Sequence, residues 1–252
     1  MPAAYDTYDY PSYWEGRDYE HESEIIAIKA FLDKISKIKT ILEVGAGYGR
    51  LANAYIFRGK KIILTDPSSK LLKIARANFE ELKSVEYIHS TLENLHKKIK
   101  ASSLDLILIV RVLHHIEDID KCLSFAKRGL KKNGYFIIEF ANKRHLKAVF
   151  SQFMKGNFTF PIDIFPTDKR SPKSVKKNTL PFFNYHPDII KNKLTTNGFQ
   201  IIEIRSVSNF RSTLLKRMFD TSTLLTLEKY LQIPMAYINS GPSIFILARK
   251  RG

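Results

Sequence analysis

A single cysteine, Cys122, occurs in the 252 residues. That excludes an internal disulfide framework and fits a reducing compartment. The residue reads as a small buried hydrophobe on a helix rather than a reactive thiol. No run of 18 apolar residues occurs, so no segment is expected to span a membrane. The opening MPAAYDTYDYPSYWEGRDYE is aromatic and acidic, not basic then apolar, and does not read as a signal peptide. These features predict a cytoplasmic chain. There is no C-x-x-C and no histidine pair at i, i+4 spacing, so no metal is expected. Internal repeats and low-complexity tracts are also missing. Acidic residues are few, 25 Asp and Glu against 41 Lys and Arg, for a net charge of +16. The shortage is local. Residues 1–141 hold 22 basic and 19 acidic residues, whereas residues 142–252 hold 19 and 6. Such an imbalance bears on partners rather than on fold.

Hydrophobic residues make up 44% of the chain and mean hydropathy is −0.21, as in a globular protein with one sizeable core. The stretch Thr40–Asp66 organises the rest. Ile41, Leu42 and Val44 form a short apolar strand that ends in Gly45-Ala46-Gly47-Tyr48-Gly49. Leu51, Ala54 and Tyr55 then follow helical spacing, and a second strand, Ile62-Ile63-Leu64, runs to Asp66. Three glycines let the backbone approach a ligand closely, and a helix start offers unpaired N–H groups. An acid about twenty positions on, at the end of the second strand, can accept hydrogen bonds from ribose hydroxyls. The unit is therefore expected to hold an adenosine-bearing cofactor. A dinucleotide fingerprint requires a small residue at its third glycine position, and this chain has Arg50 there.

With Glu43 before it, the loop resembles the first motif of class I S-adenosylmethionine (SAM)-dependent methyltransferases, E/D-x-G-x-G-x-G. Two further stretches support the resemblance. Asp105–Val110 is an unbroken apolar strand that runs into Arg111-Val112-Leu113-His114-His115-Ile116-Glu117-Asp118, similar to the family's L-H-H-x-x-D form. Ser90-Thr91-Leu92-Glu93-Asn94-Leu95 stands where the family often has G-D-A-x-x-L, with Thr91 in place of the acid. The match covers about residues 40–141. It implies an α/β fold with a Rossmann-like, doubly wound, mostly parallel seven-strand sheet and helices on both faces. It also implies SAM as donor and S-adenosylhomocysteine as product. The cofactor residues it implies are Glu43, Gly45, Ala46, Gly47, Gly49, Asp66, Pro67 and Arg111, with adenine contacts from Thr91 or Leu92. Near the N-terminus, Tyr5, Tyr8, Tyr10, Tyr13, Trp14, Arg17 and Tyr19 form either a packed arm or a lid. In the lid reading, Tyr13 and Arg17 join the cofactor site and Arg17 faces the methionine carboxylate.

The expected division is a single methyltransferase domain. Residues 1–38 form an arm and helix, 39–141 the SAM-binding core, and 184–210 with 238–252 the remainder of that core. Insertions 142–183 and 211–237 are expected to form a cap. Leu214, Leu215, Met218, Phe219, Leu224, Leu225, Leu227 and Leu231 then face an apolar acceptor, the rest of the cap, or the core. A long connection with little pattern is commonly functional or disordered. Methyl transfer asks mainly for in-line positioning, and a hydroxyl or protonated amine also needs a base. The candidate bases are His114 and His186, with His115 read as structural. The expected reaction methylates an O or N atom of a small-molecule or lipid-like acceptor. RNA held by Lys169, Arg170, Lys173, Lys176 and Lys177 is the alternative. A non-catalytic SAM-binding partner is a second alternative, and peripheral membrane contact is a further expectation. The sequence does not address oligomeric state.

Overall fold

A computed structural model describes residues 4–6, 9–177 and 179–252. The N-terminal arm carries α1 (Tyr10–Tyr13) and leads into α2 (Asp18–Leu32). The sheet-and-helix core follows as β1 (Thr40–Val44), β2 (Lys61–Asp66), α3 (Ser69–Asn78), β3 (Val85–His89), α4 (Leu92–Lys98), β4 (Leu104–Ile109), α5 (Ile119–Gly129) and β5 (Leu130–Ala141). Next come α6 (Leu146–Phe153), β6 (Thr167–Asp168), α7 (Pro172–Lys176), β7 (Phe183–Asn184), α8 (Pro187–Thr196), β8 (Phe199–Val207), α9 (Thr213–Met218), α10 (Thr221–Tyr237) and β9 (Ser243–Lys250).

Seven strands lie in the order β3-β2-β1-β4-β5-β9-β8, and only β9 runs antiparallel to its neighbours. The central strands are near-continuous apolar runs because helices cover both faces. On one face Leu42, Val44, Ile107 and Ile109 meet α4, α5 and α8. On the other, Ile41, Leu106 and Leu108 meet α2, α3 and the segment after the glycine loop. Cys122 lies on α5, fully buried in the first of these cores, and burial pushes its thiol up to about 12.

Between β1 and β2 the expected helix is replaced by a 3-10 turn over Ala52–Ala54. Leu51, Ala52, Ala54, Tyr55 and Ile56 are all buried. Five side chains so close in sequence span too wide an arc for one helical stripe, so the segment coils to bury them all.

The first insertion departs from the sheet and returns to it at one point. Asn142 bridges Tyr185, Tyr185 N–H donates to Ala141 O at 2.8 Å, and Lys143 N–H donates to Tyr185 O at 2.9 Å. In the second insertion, α10 packs on α2 and β8. Its buried face is Leu224, Glu228 and Gln232, spaced by four. Glu228 accepts from Tyr19 Oη at 2.6 Å, Ser208 N at 2.8 Å and Asn209 N at 3.1 Å. Leu214, Met218, Phe219 and Leu227 are exposed. Of the Leu214–Leu231 stripe, Leu224 is buried in the core, and Glu228 and Gln232 share the contact of α10 with α2 and β8.

Candidate active site

At the carboxyl ends of β1, β2 and β4 a cleft of about 280 Å³ opens. Val44, Gly45 and Gly47 floor it, with Asp66 and Pro67 beyond them. Ser90, Thr91, Leu92 and Glu93 line another part, and Arg111, Val112, His115 and Ile116 follow β4. Tyr5, Tyr10 and Leu180 also line it. Of the residues expected at the cofactor, Gly45, Gly47, Asp66, Pro67, Thr91, Leu92 and Arg111 meet here.

The glycine loop is bare for two reasons. Gly45 has φ +71°, and a Cβ on it would lie 2.2 Å from Val112 Cγ2. Gly47 has φ +57°, a region that L side chains rarely adopt. The loop is held by the acid at the end of β2. Asp66 Oδ2 accepts from Gly47 N at 2.8 Å and Oδ1 accepts from Ser68 N at 2.7 Å. Burial pushes the Asp66 carboxyl up to about 6, against the lowering effect of those two bonds. A carboxylate has about four lone-pair sites, so both oxygens can accept further hydrogen bonds.

Glu43, Ala46 and Gly49 do not line the cleft. Glu43 is buried and accepts a hydrogen bond from Tyr55 Oη, and burial raises its carboxyl to about 7. Ala46 N–H donates to Thr65 O at 2.9 Å, which ties the loop to β2. Gly49 faces Phe79, whose ring would lie 2.5 Å from an added Cβ.

The arm lies against the cleft, although the residues expected to reach into it do not. Tyr13 and Arg17 are exposed and pair with each other, the guanidinium 4.2 Å from the ring centroid. Tyr5 and Tyr10 line the cleft instead, and Ser68 Oγ donates to the Asp6 carboxylate at 2.6 Å. Tyr8 lies outside the described residues. Arg111 is the cation at the cleft. Its Nε and Nη2 donate to Glu24 Oε1 at 2.7 and 2.6 Å, and Glu24 Oε2 pairs with Arg50. Arg50 in turn lies 3.5 Å over the Trp14 ring. One fully buried carboxylate thus serves two arginines, and both hold its proton affinity down against the effect of burial. Arg111 has φ +61°, and its N–H donates to Glu139 Oε2 at 2.8 Å. Helical spacing carried a signal for Glu24, since it stands four residues before Ile28 and seven before Phe31 on the buried stripe.

Of the three histidines, His115 lines the cleft and His114 and His186 do not. His114 is buried, packs on Phe182 at 4.5 Å, and does not line the cleft. Burial and the neighbouring His115 hold its pKa well below the ordinary histidine value. His186 caps α8, where Nδ1 accepts from Asp188 N at 3.2 Å while Nε2 donates to Pro161 O at 3.1 Å. His115, expected to be structural, lines the cleft. Its Nδ1 stands 2.6 Å from Pro181 O, and a carbonyl only accepts, so Nδ1 carries the proton. Nε2 is then left with a lone pair, which accepts from Tyr5 Oη at 2.7 Å. Burial lowers the His115 pKa despite the bond to Pro181, which favours the neutral ring near pH 7. An imidazole held as this tautomer can take a proton from a hydroxyl in the cleft. The first insertion thus reaches the site through Leu180, Pro181 and Phe182, whereas no residue of 211–237 lines it. Among the described residues no cluster of three or more metal-ligating side chains occurs, and no helix is long and apolar enough to cross a membrane.

The methyltransferase domain family matches residues 42–138. Ubiquinone biosynthesis O-methyltransferase of Pelagibacter ubique is 30% identical over 120 residues, covering 47% of this chain and 49% of that protein. The chain thus spans about half the length of that relative. tRNA 5-carboxymethoxyuridine methyltransferase of Escherichia coli K12 is 25% identical over 216 residues, 83% of this chain and 79% of that one. A SAM-dependent methyltransferase structure from Archaeoglobus fulgidus superposes with a TM-score of 0.60 at 16% identity, over 96% of this chain and 100% of that chain. At that identity the structural likeness speaks to the fold. Residues 42–138 match the methyltransferase domain family, and strand order and structural likeness agree that the chain has the Rossmann-like fold of the SAM-dependent methyltransferases.

Proposed function

We propose that the protein methylates an oxygen or nitrogen atom of a small-molecule or lipid-like acceptor, with His115 as the base. The observation that carries this reading is the His115 Nε2 lone pair. The Pro181 carbonyl fixes the tautomer, and a hydroxyl already sits 2.7 Å from Nε2.

The cleft residues fit the donor. The loop at Gly45 and Gly47 is kept clear of side chains, Asp66 offers its carboxylate to ribose hydroxyls, and Arg111 offers a cation to the methionine carboxylate. At the adenine end Glu93 supplies an acceptor two positions after Thr91, where the family's acid is missing. Bound SAM supplies a methyl group on a sulfonium that is already a good leaving group. His115 then has to orient the acceptor and take its proton on Nε2 as the new O–CH3 or N–CH3 bond forms. Tyr5 occupies that position in the structure, so the acceptor hydroxyl or amine replaces the Tyr5 hydroxyl on Nε2.

RNA is the second reading, favoured by the 79% coverage of the tRNA-modifying relative and by the exposed Lys173, Lys176 and Lys177 around α7. Arg170 contributes less to it, since Asp168 holds the guanidinium at 2.7 and 2.9 Å. Salt separates the two. An RNA that neutralises about five phosphates should bind with a log–log salt slope of roughly −4, and a small acceptor should show little dependence. The deciding experiment compares small molecules, lipids and nucleosides by mass spectrometry from cells with and without the gene. A small molecule or lipid lighter by one methylene in the deletion strain supports the proposal. A lost methylated nucleoside overturns it in favour of RNA, and no change in any class favours a non-catalytic SAM-binding partner.

A further inference from the structure

We infer that the first insertion is a docking surface for an anionic lipid bilayer. This goes beyond the proposed acceptor and holds whichever acceptor is used. A helix at a protein surface normally turns its apolar stripe inward. Along α6 and the residue that caps it, the stripe at i, i+4 and i+8, Leu146, Phe150 and Met154, is exposed, Phe150 at 67% and Met154 at 74%. The loop that follows adds Phe158 at 72%, Ile162 at 75% and Phe165 at 73%. The ring centroids of Phe153 and Phe158 lie 5.7 Å apart and join helix to loop, and exposed apolar side chains gathered in this way mark an interaction site.

The exposure is built into the structure. Lys143, almost wholly buried, donates from Nζ to Asp163 O at 2.8 Å and Phe165 O at 2.6 Å, and pairs with the Asp163 carboxylate at 2.7 Å. Phe160 is buried beneath the same loop. The loop is therefore pinned from below while its other large side chains point outward. α6 is joined to the rest of the protein at its start, where Leu146 N–H donates to Ser240 O at 3.1 Å, close after α10.

Charge selects the occupant. Residues 142–183 contain nine basic residues and two acids. Both acids are already engaged, Asp163 by Lys143 and Asp168 by Arg170. Burial holds the His145 pKa down at about 4, and the charges of Arg211, Lys169 and Lys147 nearby add to that effect. Aromatic and aliphatic side chains beside uncompensated lysines suit an interface of acyl chains below anionic headgroups. No described helix is long and apolar enough to span, so the contact is interfacial.

The test is flotation of the purified full chain with two kinds of vesicle, phosphatidylcholine alone and an equimolar mixture with phosphatidylglycerol. Two variants are floated beside it. In one, Phe150→Ser, Phe158→Ser and Ile162→Ser remove the apolar contact at exposed positions. In the other, Lys147→Glu and Lys155→Glu reverse the charge. SAM titration of each variant reports folding independently of lipid. Wild type should bind the anionic vesicles and be weakened on the neutral ones. Each variant should lose about tenfold or more on anionic vesicles while keeping its SAM affinity. Anionic-vesicle binding unchanged in the apolar variant would overturn the inference. So would absence of vesicle binding by wild type, including the case where the same apolar residues drive a dimer seen by light scattering.

Discussion

The Tyr5 hydroxyl lies 2.7 Å from Nε2 of His115, and the opposite nitrogen of the same ring faces the Pro181 carbonyl at 2.6 Å. An arm residue and an insertion residue thus hold one imidazole from two sides. Tyr5 restrains the atom that is chemically useful, and Pro181 decides that this atom carries no proton.

His115→Ala should therefore lower kcat/KM by about a hundredfold or more, the usual contribution of a positioned base, with SAM affinity little changed. Tyr5→Phe removes a competitor for Nε2 and should leave kcat/KM equal to or above wild type. The low pKa of His115 places the acidic limb of the rate profile below the ordinary histidine range, with activity rising as the neutral ring forms. Steady-state kinetics against pH check all three. Full activity in His115→Ala would remove the base from the account.

SAM affinity should depend on pH through Asp66. Its carboxyl is raised to about 6, and the ionised form is the better acceptor for ribose hydroxyls. Binding should weaken as pH falls through that value, and SAM uptake near it should release protons. Asp66→Asn should bind more weakly and lose the pH dependence. Calorimetry in buffers of different ionisation heat reads the proton count. In the folded protein without ligand, the raised pKa means that ionising Asp66 costs stability, and that loss accrues as pH rises from the unfolded value toward about 6.

Glu43 is buried and bonded to Tyr55 outside the cleft lining, so it is expected to serve the fold. Glu43→Gln keeps an acceptor for Tyr55 Oη and removes a carboxyl whose ionisation is disfavoured by burial, with its pKa near 7. Stability above neutral pH should rise or hold, and SAM affinity should stay near wild type. Denaturant titration and SAM calorimetry check the two halves, and a large loss of SAM affinity would return Glu43 to the cofactor site.

Glu228→Ala should destabilise the protein by about 3 kcal/mol or more, because it leaves the buried Tyr19 hydroxyl and two backbone N–H groups near Ser208 without their acceptor. Chemical denaturation measures it. A loss within experimental noise would mean that α10 is held by its few apolar contacts alone.

The sequence made the central sheet legible because its strands are near-continuous apolar runs, and it located the cleft because Gly45, Gly47 and Asp66 must be those residue types. Other features depend on tertiary partners that leave little local trace. Spacing places Glu24 on the buried stripe of α2, but what it does there shows only once Arg50 and Arg111 are seen on its two oxygens. His114 and His115 are neighbours in sequence with opposite fates, and what separates them is the return of residues 180–182 from a long insertion with no clear pattern. The leucines of 211–237 kept helical spacing, yet a polar face of α10 was buried because Tyr19, Ser208 and Asn209 met Glu228 there.

The most direct test of the account is calorimetric titration of SAM into wild type and Asp66→Ala at neutral pH. The account predicts one saturable site in wild type. In the mutant, loss of a charged hydrogen bond worth roughly 1.5–3 kcal/mol should weaken binding about tenfold to over a hundredfold. No binding by wild type, or equal binding by both proteins, would contradict it.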